Sequence, residues 1–324
     1  MMTPIMSPIM TPPNSMRILL TGTHGQLGTD LLPLLQPLGE VVAVGHADCD
    51  LASAEAIRKL VSEVRPGVIV NPAAYTAVND AETHSELAYA INATAPGVLA
   101  EEARKLGAML VHYSTDYVFD GSKPGAYVES DEPAPLNVYG ASKLAGERAV
   151  AAAGGRCLVL RTSWVYGANG NNFLLTIRRL AAEREELSIV DDQIGAPTSS
   201  LQLAQATARF VRRYAPVPEP EFPAGLYHAT ASGSVSWCGF ARAIVAALES
   251  GDRFRLRQIA AITTDQYPTP ARRPLNSVLC NQKFERTFGF RLGSWQQGLA
   301  EAVGAIRQRE AGDSSPGSCL EDAR

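Results

Sequence analysis

The segment NVYGASKLAGE, residues 137–147, holds a tyrosine and a lysine four positions apart, Tyr139 and Lys143. On a helix, residues with this spacing are neighbours on one face. A phenol is a poor acid or base at neutral pH, but a nearby ammonium group favours the phenolate and lowers the pKa of a tyrosine. The pair is therefore suited to proton transfer. The alternative, which is common for this spacing alone, is a solvated helix face.

Ser114, Thr115 and Asp116 form a second polar set, at the end of the predicted strand AMLVHYST, residues 108–115. Ligands of doubly wound sheets bind at the carboxyl ends of the strands. A hydroxyl at this position can hydrogen-bond a substrate carbonyl oxygen next to the tyrosine. The alternative is that these residues only cap the turn that follows the strand.

Three glycines, Gly22, Gly25 and Gly28, follow the hydrophobic segment RILLTG, residues 17–22, and open a predicted helix. Glycine lets the backbone turn tightly and approach a pyrophosphate, whose charge is favoured at a helix N-terminus. The spacing and context favour dinucleotide binding over a tight strand–helix turn without a ligand.

The adenosine end of such a site lies after the second strand. Here the segment EVVAVG, residues 40–45, ends in Gly45 and His46 without a carboxylate. An acid at this position would repel a 2′-phosphate, so its absence favours NADPH without excluding NADH. Asp50 either contacts the adenine, with Leu51 beside it, or helps Ser53 to cap the next helix.

These residues are positioned by alternating strand and helix patterns. Strands are predicted at 17–22, 40–45, 67–73, 108–115 and 156–163, with helical segments between them, such as 53–66 and 94–107. A further helix should begin near Asn137 and end at Gly154–Gly155. This alternation predicts an α/β fold with a Rossmann-like doubly wound parallel sheet.

The alternation loosens after about residue 165, where Pro- and Gly-rich segments appear. We therefore predict a dinucleotide-binding domain at 16–165 and a smaller C-terminal α/β substrate-binding domain at 166–310, some of whose segments return to the sheet. The leader 1–15 and the tail 311–324 are polar or Pro-rich and are predicted to be disordered.

Composition excludes several classes of function. A net charge of −4 gives no basic surface for nucleic acid, and no apolar run approaches the ~20 residues that cross a membrane. The five cysteines are odd in number and scattered, without a C-x-x-C pair. This pattern disfavours disulfides and structural zinc, predicts no metal site and indicates a reducing cytoplasm.

The motifs TGTHGQLG and YGASK, together with Thr115, resemble the extended short-chain dehydrogenase/reductases. The segments VHYSTDYVFDG, DDQIGAPTS and YPTPARRPLNS are more particular and resemble the dTDP-4-dehydrorhamnose reductases. The resemblance covers roughly residues 16 to 305.

This resemblance implies reduction of the C4 keto group of dTDP-4-dehydro-L-rhamnose to give dTDP-L-rhamnose, with hydride from NADPH or NADH. It implies that Tyr139 protonates the developing alkoxide, that Lys143 holds the nicotinamide ribose, and that Thr115 orients the C4 oxygen, with Asp116 near the sugar. Besides Tyr139 and Lys143, the implied cofactor contacts are Gly22, Gly25, Gln26, Leu27, Gly28, Asp50, Leu51, Ala73, Ala74 and Tyr75. The implied substrate contacts are Thr115, Asp116, Trp164, Asn172, Phe173 and Arg273, with Arg272 as the competitor of Arg273 for the diphosphate.

The chain departs from the family at one set of positions. Some members form a dimer bridged by magnesium through glutamates, and the matching positions here are Asp30, Leu201 and Gln296. These leave too few hard oxygen ligands for a bridging cation. We therefore expect a monomer without a magnesium bridge.

Two other functions are compatible with the motifs. A nucleotide-sugar epimerase or 4,6-dehydratase shares the fold and the Tyr–Lys pair, but a dehydratase commonly has an Asp–Glu pair after the strand threonine, where this chain has Asp116–Tyr117. A non-catalytic NADP-binding regulatory subunit, like that of methionine adenosyltransferase, also resembles these reductases. The intact Thr115, Tyr139 and Lys143 favour catalysis.

Overall fold

The computed structural model describes residues 16–248 and 251–313. The predicted leader and the tail beyond residue 313 lie outside these ranges. Helix α11 (Trp295–Asp313) includes residues 311–313, so the tail prediction, which began at 311, was wrong for these three residues. Helix propagation costs little once the preceding turns are packed, which explains why α11 continues into a polar segment.

One central sheet of six parallel strands organises the molecule, in the order β2-β1-β3-β4-β5-β10. Its strands are β1 (Arg17–Thr21), β2 (Glu40–Val44), β3 (Val68–Asn71), β4 (Met109–Thr115), β5 (Cys157–Thr162) and β10 (Gly225–His228). The predicted doubly wound parallel sheet is thereby confirmed, and β1 to β5 match the strands expected from the sequence. The edge strand β10 was not predicted, because its four residues follow a Pro-rich segment.

Helices cover both faces of the sheet, since parallel strands bury side chains on both sides. On one face, α1 (Gln26–Leu35), α8 (Ser200–Tyr214) and α10 (Gln282–Phe288) pack on Ile18, Leu20 and Val70. On the other face, the apolar core is completed by helices α2 (Ala54–Val64), α5 (Ala95–Leu106) and α6 (Val138–Ala153).

A π-helical turn at Ala90–Thr94 joins the short helices α3 (Val78–Ala81) and α4 (Ser85–Tyr89) to α5. Such turns are rare and frequently occur at functional sites. Asn92 of this turn is completely buried and contacts the segment that follows β3.

The C-terminal half builds a second core, around Tyr166, Phe240 and Ile244. Its helices are α7 (Phe173–Glu183), α9 (Trp237–Leu248) and α11. Short strand pairs complete it: β6 (Val165–Tyr166) with β9 (Thr198–Ser199), β7 (Glu186–Val190) with β12 (Gln258–Ile262), and β8 (Ile194–Gly195) with β11 (Val235–Ser236). No helix in the described ranges is long and apolar enough to cross a membrane.

A buried ion pair fixes α6 on the sheet. Glu147 of α6 accepts hydrogen bonds from Nε (2.8 Å) and Nη2 (2.7 Å) of Arg161 on β5, and from Oγ of Ser114 on β4 (2.5 Å). The side chains of Arg161 and Glu147 are only 2% and 7% exposed. The same helix carries Tyr139 and Lys143, so this contact sets their height above the strand ends.

We expect Glu147→Gln to lower the free energy of unfolding by about 3 kcal/mol, because it leaves the buried Arg161 guanidinium without a counter-charge. Urea denaturation of the purified protein measures this loss. The matched control is Glu101→Gln, which removes an exposed ion pair with Arg58 and should cost less than about 1 kcal/mol. Equal losses in the two variants would contradict the structural role of Glu147.

Candidate active site

A cleft of about 510 Å³ lies at the carboxyl ends of the central strands. Its walls are the glycine loop, the ends of β2 and β3, and the N-terminal turns of α6. Of the predicted cofactor residues, the cleft is lined by Gly22, Gly25, Gln26, Leu27, Gly28, Asp50, Leu51, Ala73, Ala74, Tyr139 and Lys143. The fold therefore brings these residues, which are distant in sequence, to one cavity.

The glycine loop has the shape of a phosphate cradle. Gly22 has a φ of +59°, which side chains rarely adopt, and a Cβ at Gly28 would lie 2.1 Å from the Gly22 carbonyl oxygen. Both positions therefore require glycine. The loop leads directly into the N-terminus of α1, where backbone N–H groups and the helix dipole favour a pyrophosphate. These residues fit a dinucleotide.

Tyr75 is the predicted cofactor residue outside the cleft lining, and its backbone is held by Asn92. The Tyr75 N–H donates to Asn92 Oδ1 (2.8 Å), and Asn92 Nδ2 donates to the Tyr75 carbonyl (3.0 Å). Asn92 Nδ2 also donates to Ser142 on α6 (3.0 Å). Asn92 thus ties the segment after β3 to the helix that carries Tyr139. Its one weak signal in the sequence is a polar residue within an otherwise helical pattern.

Asp50 does not cap α2. Ser53 accepts from the Ala56 N–H (3.2 Å) and is the cap of α2, whereas Asp50 Oδ1 accepts from the Ala52 N–H (2.9 Å) at the rim of the cleft. The side chain of Asp50 therefore does not cap α2, and it lies at the cleft, where the alternative of an adenine contact would place it.

Tyr139 and Lys143 lie in the first two turns of α6, which begins as predicted. Asn137 caps the helix by accepting the Gly140 N–H (2.8 Å). The phenol of Tyr139 hydrogen-bonds Thr115, and burial raises the pKa of Tyr139 to about 12. The expected lowering of this pKa by Lys143 was wrong for the structure described. Desolvation outweighs the hydrogen bond with Thr115, and the Asp116 carboxylate disfavours the phenolate further. The ammonium of Lys143 is engaged elsewhere.

Lys143 Nζ donates to the carbonyl oxygen of Tyr113 on β4 (2.6 Å). Burial lowers the pKa of Lys143 to about 8, and the carboxylate of Glu147, one turn further along α6, opposes this shift. Lys143 therefore remains mostly charged at neutral pH. Its ammonium group stands between the end of β4 and the cleft.

Thr115 and Asp116 complete the polar floor around Tyr139. Thr115 Oγ1 donates to Asp116 Oδ1 (3.0 Å), and Ser277 also hydrogen-bonds Asp116. Burial raises the pKa of Asp116 to about 6, against these hydrogen bonds. Ser277 was not predicted as a site residue. It belongs to the quoted segment YPTPARRPLNS, so the motif indicated the segment but not this contact.

Arg273 and Arg272 differ in where they lie. Arg273 is half-buried, donates to Thr269 Oγ1 (2.6 Å) and Asn79 Oδ1 (3.3 Å), and hydrogen-bonds Tyr117. The ring of Tyr117 packs edge-on against that of Tyr139, with centroids 5.7 Å apart. Arg272 is exposed. Of these two arginines, Arg273 is therefore the one whose side chain contacts Tyr117, next to Tyr139, although neither arginine lines the cleft.

Trp164, Phe173 and Asn172 form a separate group on the C-terminal half. Trp164 has a φ of +48° and stacks on Trp237, with ring centroids 3.6 Å apart, and Phe173 packs against the same Trp237. Asn172 caps α7 by accepting the Leu175 N–H (3.1 Å), and its amide donates to two backbone carbonyls. The neighbouring Gly170 and Asn171 line the cleft, so this group borders it.

Asp116 should make stability depend on pH. Its pKa of about 6 lies above the ordinary value of 3.8, so the native state binds more protons than the unfolded state between these values. Stability contributed by this group is then lost as pH rises from about 4 to 6. The free energy of unfolding of Asp116→Asn, measured relative to that of wild type, should therefore increase by about 2 kcal/mol as the pH rises from 4 to 7.5. Urea denaturation across this range measures the difference, and a difference that does not change with pH would contradict the buried carboxyl.

Comparison with known proteins identifies the family. Residues 16–308 match the model of the RmlD substrate binding domain. The dTDP-4-dehydrorhamnose reductase of Burkholderia thailandensis is 46% identical over 292 residues, which cover 89% of this chain and 98% of that protein. The Escherichia coli (strain K12) enzyme of the same name is 45% identical over 296 residues, 90% of this chain and 98% of that protein.

A solved structure agrees. The crystal structure of dTDP-4-dehydrorhamnose reductase from Bacillus anthracis in complex with NADP superposes with a TM-score of 0.82 at 36% identity, covering 90% of this chain and 100% of that chain. Together with the cleft and its tyrosine–lysine pair, these similarities show that the chain belongs to the dTDP-4-dehydrorhamnose reductase family of Rossmann-like reductases.

Proposed function

We propose that this protein reduces the C4 keto group of dTDP-4-dehydro-L-rhamnose to give dTDP-L-rhamnose, the last step in making that nucleotide sugar. The observation that carries the proposal is the buried phenol of Tyr139, hydrogen-bonded to Thr115 at the floor of a cleft that also holds Lys143 and the glycine loop. Family membership supplies the substrate class.

NADPH, or NADH, fits the cleft and supplies the hydride when bound. Gly22, Gly25 and Gly28 allow the backbone to approach the pyrophosphate at the N-terminus of α1. Lys143 is placed to hold the nicotinamide ribose from the end of β4. The remaining proposed contacts are Gln26, Leu27, Asp50, Leu51, Ala73, Ala74 and Tyr75, with Asn92 positioning Tyr75.

Tyr139 is suited to act as the proton donor. With a pKa of about 12 its phenol is protonated at neutral pH, which is the form that reduction of a ketone requires. An alkoxide forming at C4 is a stronger base than the phenolate, so proton transfer from Tyr139 is favourable. Burial thus keeps Tyr139 protonated and ready to act as the acid.

Thr115 and Asp116 are proposed to orient the sugar. The Thr115 hydroxyl lies within hydrogen-bonding reach of Tyr139 and can share the C4 oxygen with it. Arg273, whose planar guanidinium suits bidentate pairing with phosphate oxygens, is the proposed contact of the diphosphate. Trp164 and Phe173 offer aromatic surface at the border of the cleft, and Asn172 is proposed to act with them by holding the start of α7.

We also propose that the protein acts as a monomer, without a magnesium bridge, in the cytoplasm. Asp30 Oδ2 accepts from Ser200 Oγ on the neighbouring helix α8 (2.5 Å), so this carboxylate is engaged within the chain. Leucine and glutamine at positions 201 and 296 add no anionic ligand. The cysteines that the structure describes are free thiols, which suits a reducing compartment.

Tyr139→Phe should lower kcat by about 10²- to 10⁴-fold, because the proton donor is lost while the ring is kept. The measurement is loss of NADPH absorbance with dTDP-4-dehydro-L-rhamnose, together with NADPH binding by calorimetry, which should be retained. Tyr89→Phe, on the exposed surface of α4, is the matched control and should leave kcat unchanged.

A wild type that binds NADPH but does not turn over this substrate would contradict the proposed substrate. Turnover of a different nucleotide sugar would then indicate another 4-ketoreductase or an epimerase. A stable complex with a synthetase, and no turnover of any such sugar, would indicate the regulatory-subunit alternative.

A further inference from the structure

Two histidines, His24 and His46, line the adenosine end of the cleft, where β2 ends without a carboxylate. In Rossmann folds, an acid near this point hydrogen-bonds the ribose 2′-OH of NAD, whereas a cationic side chain accommodates the 2′-phosphate of NADP. Gly45 occupies the strand end and provides neither group. The discrimination between the two cofactors must therefore come from other residues.

The packing at Gly45 explains how His24 reaches this place. A Cβ at position 45 would lie 2.6 Å from Nδ1 and Cε1 of His24, so the imidazole occupies the space of the missing side chain. The Gly45 N–H donates to Asp48 Oδ2 (2.8 Å), and the Thr23 N–H donates to the Val44 carbonyl (3.5 Å). These bonds hold the glycine loop against the end of β2.

The charges around the histidines are few. Asp50 lines the cleft, and its Oδ1 is engaged by the Ala52 N–H. Asp48 turns its carboxylate to the Gly45 N–H and does not line the cleft. Among the lining residues that the structure describes, Lys143 is the one lysine or arginine, and it belongs to the Tyr139 end. His24 and His46 are therefore the side chains at the adenosine end that can carry positive charge.

We propose that His24 and His46 bind the 2′-phosphate of NADPH and thereby select NADPH over NADH. This inference rests on the proposed function, because it assigns a role within the same cofactor site. Gly45 contributes by leaving room for His24 and by adding no negative charge.

Calorimetric titration with 2′,5′-ADP and with 5′-ADP separates the phosphate contact from the rest of the site. Wild type should bind 2′,5′-ADP more tightly than 5′-ADP, which lacks the 2′-phosphate. The double variant His24→Gln, His46→Gln should lose about 10-fold or more of its affinity for 2′,5′-ADP and keep its affinity for 5′-ADP, which also verifies its fold. His84→Gln, an exposed histidine before α4, is the matched control and should change neither affinity.

Gly45→Asp tests the same assignment by adding a charge. The new side chain would displace the His24 ring and repel the 2′-phosphate, so the ratio of KM for NADPH to KM for NADH should rise at least about 10-fold.

Equal affinities of wild type for the two nucleotides, or an unchanged affinity of the double variant for 2′,5′-ADP, would overturn the histidine assignment and leave the proposed reductase intact. If the wild type bound none of 2′,5′-ADP, 5′-ADP, NADPH and NADH, both the histidine assignment and the proposed reductase function would be overturned.

Discussion

The ion pair between Glu147 and Arg161 is buried, and the position of the helix that carries Tyr139 and Lys143 depends on it. Glu147 is bonded to both β4 and β5, and it sits one turn beyond Lys143 on α6. A buried charge tolerates little displacement from its partner. The pair therefore fixes α6 over the strand ends and provides the negative charge that opposes neutralisation of the buried Lys143.

The same helix is held from its other side by Asn92. This residue bonds Ser142 and both backbone groups of Tyr75, so the segment after β3 and α6 form one rigid wall. Preorganisation of this kind reduces the ordering that a bound cofactor must otherwise impose. The π-helical turn at 90–94 directs the Asn92 side chain to this position.

The elements that local pattern determines were predictable from the sequence. The strands β1 to β5, the Asn137 cap and the glycine loop follow from β-branched runs, capping chemistry and glycine spacing. Strand β10 and the contacts of Asn92 and Ser277 depend on residues distant in sequence, which pattern does not encode. The expected lowering of the Tyr139 pKa failed because helix spacing reports proximity, whereas desolvation depends on the complete fold.

The position of β10 has an evolutionary consequence. This strand, with α8 and α10, belongs in sequence to the C-terminal half but completes the sheet and its apolar face. A fragment that ended after β6 would lack β10 and would leave the edge of β5 unpaired. Unpaired strand edges tend to associate with other chains. If the C-terminal half is exchanged between related enzymes, by recombination or by design, the transferred β10, α8 and α10 must therefore fit the sheet of the recipient.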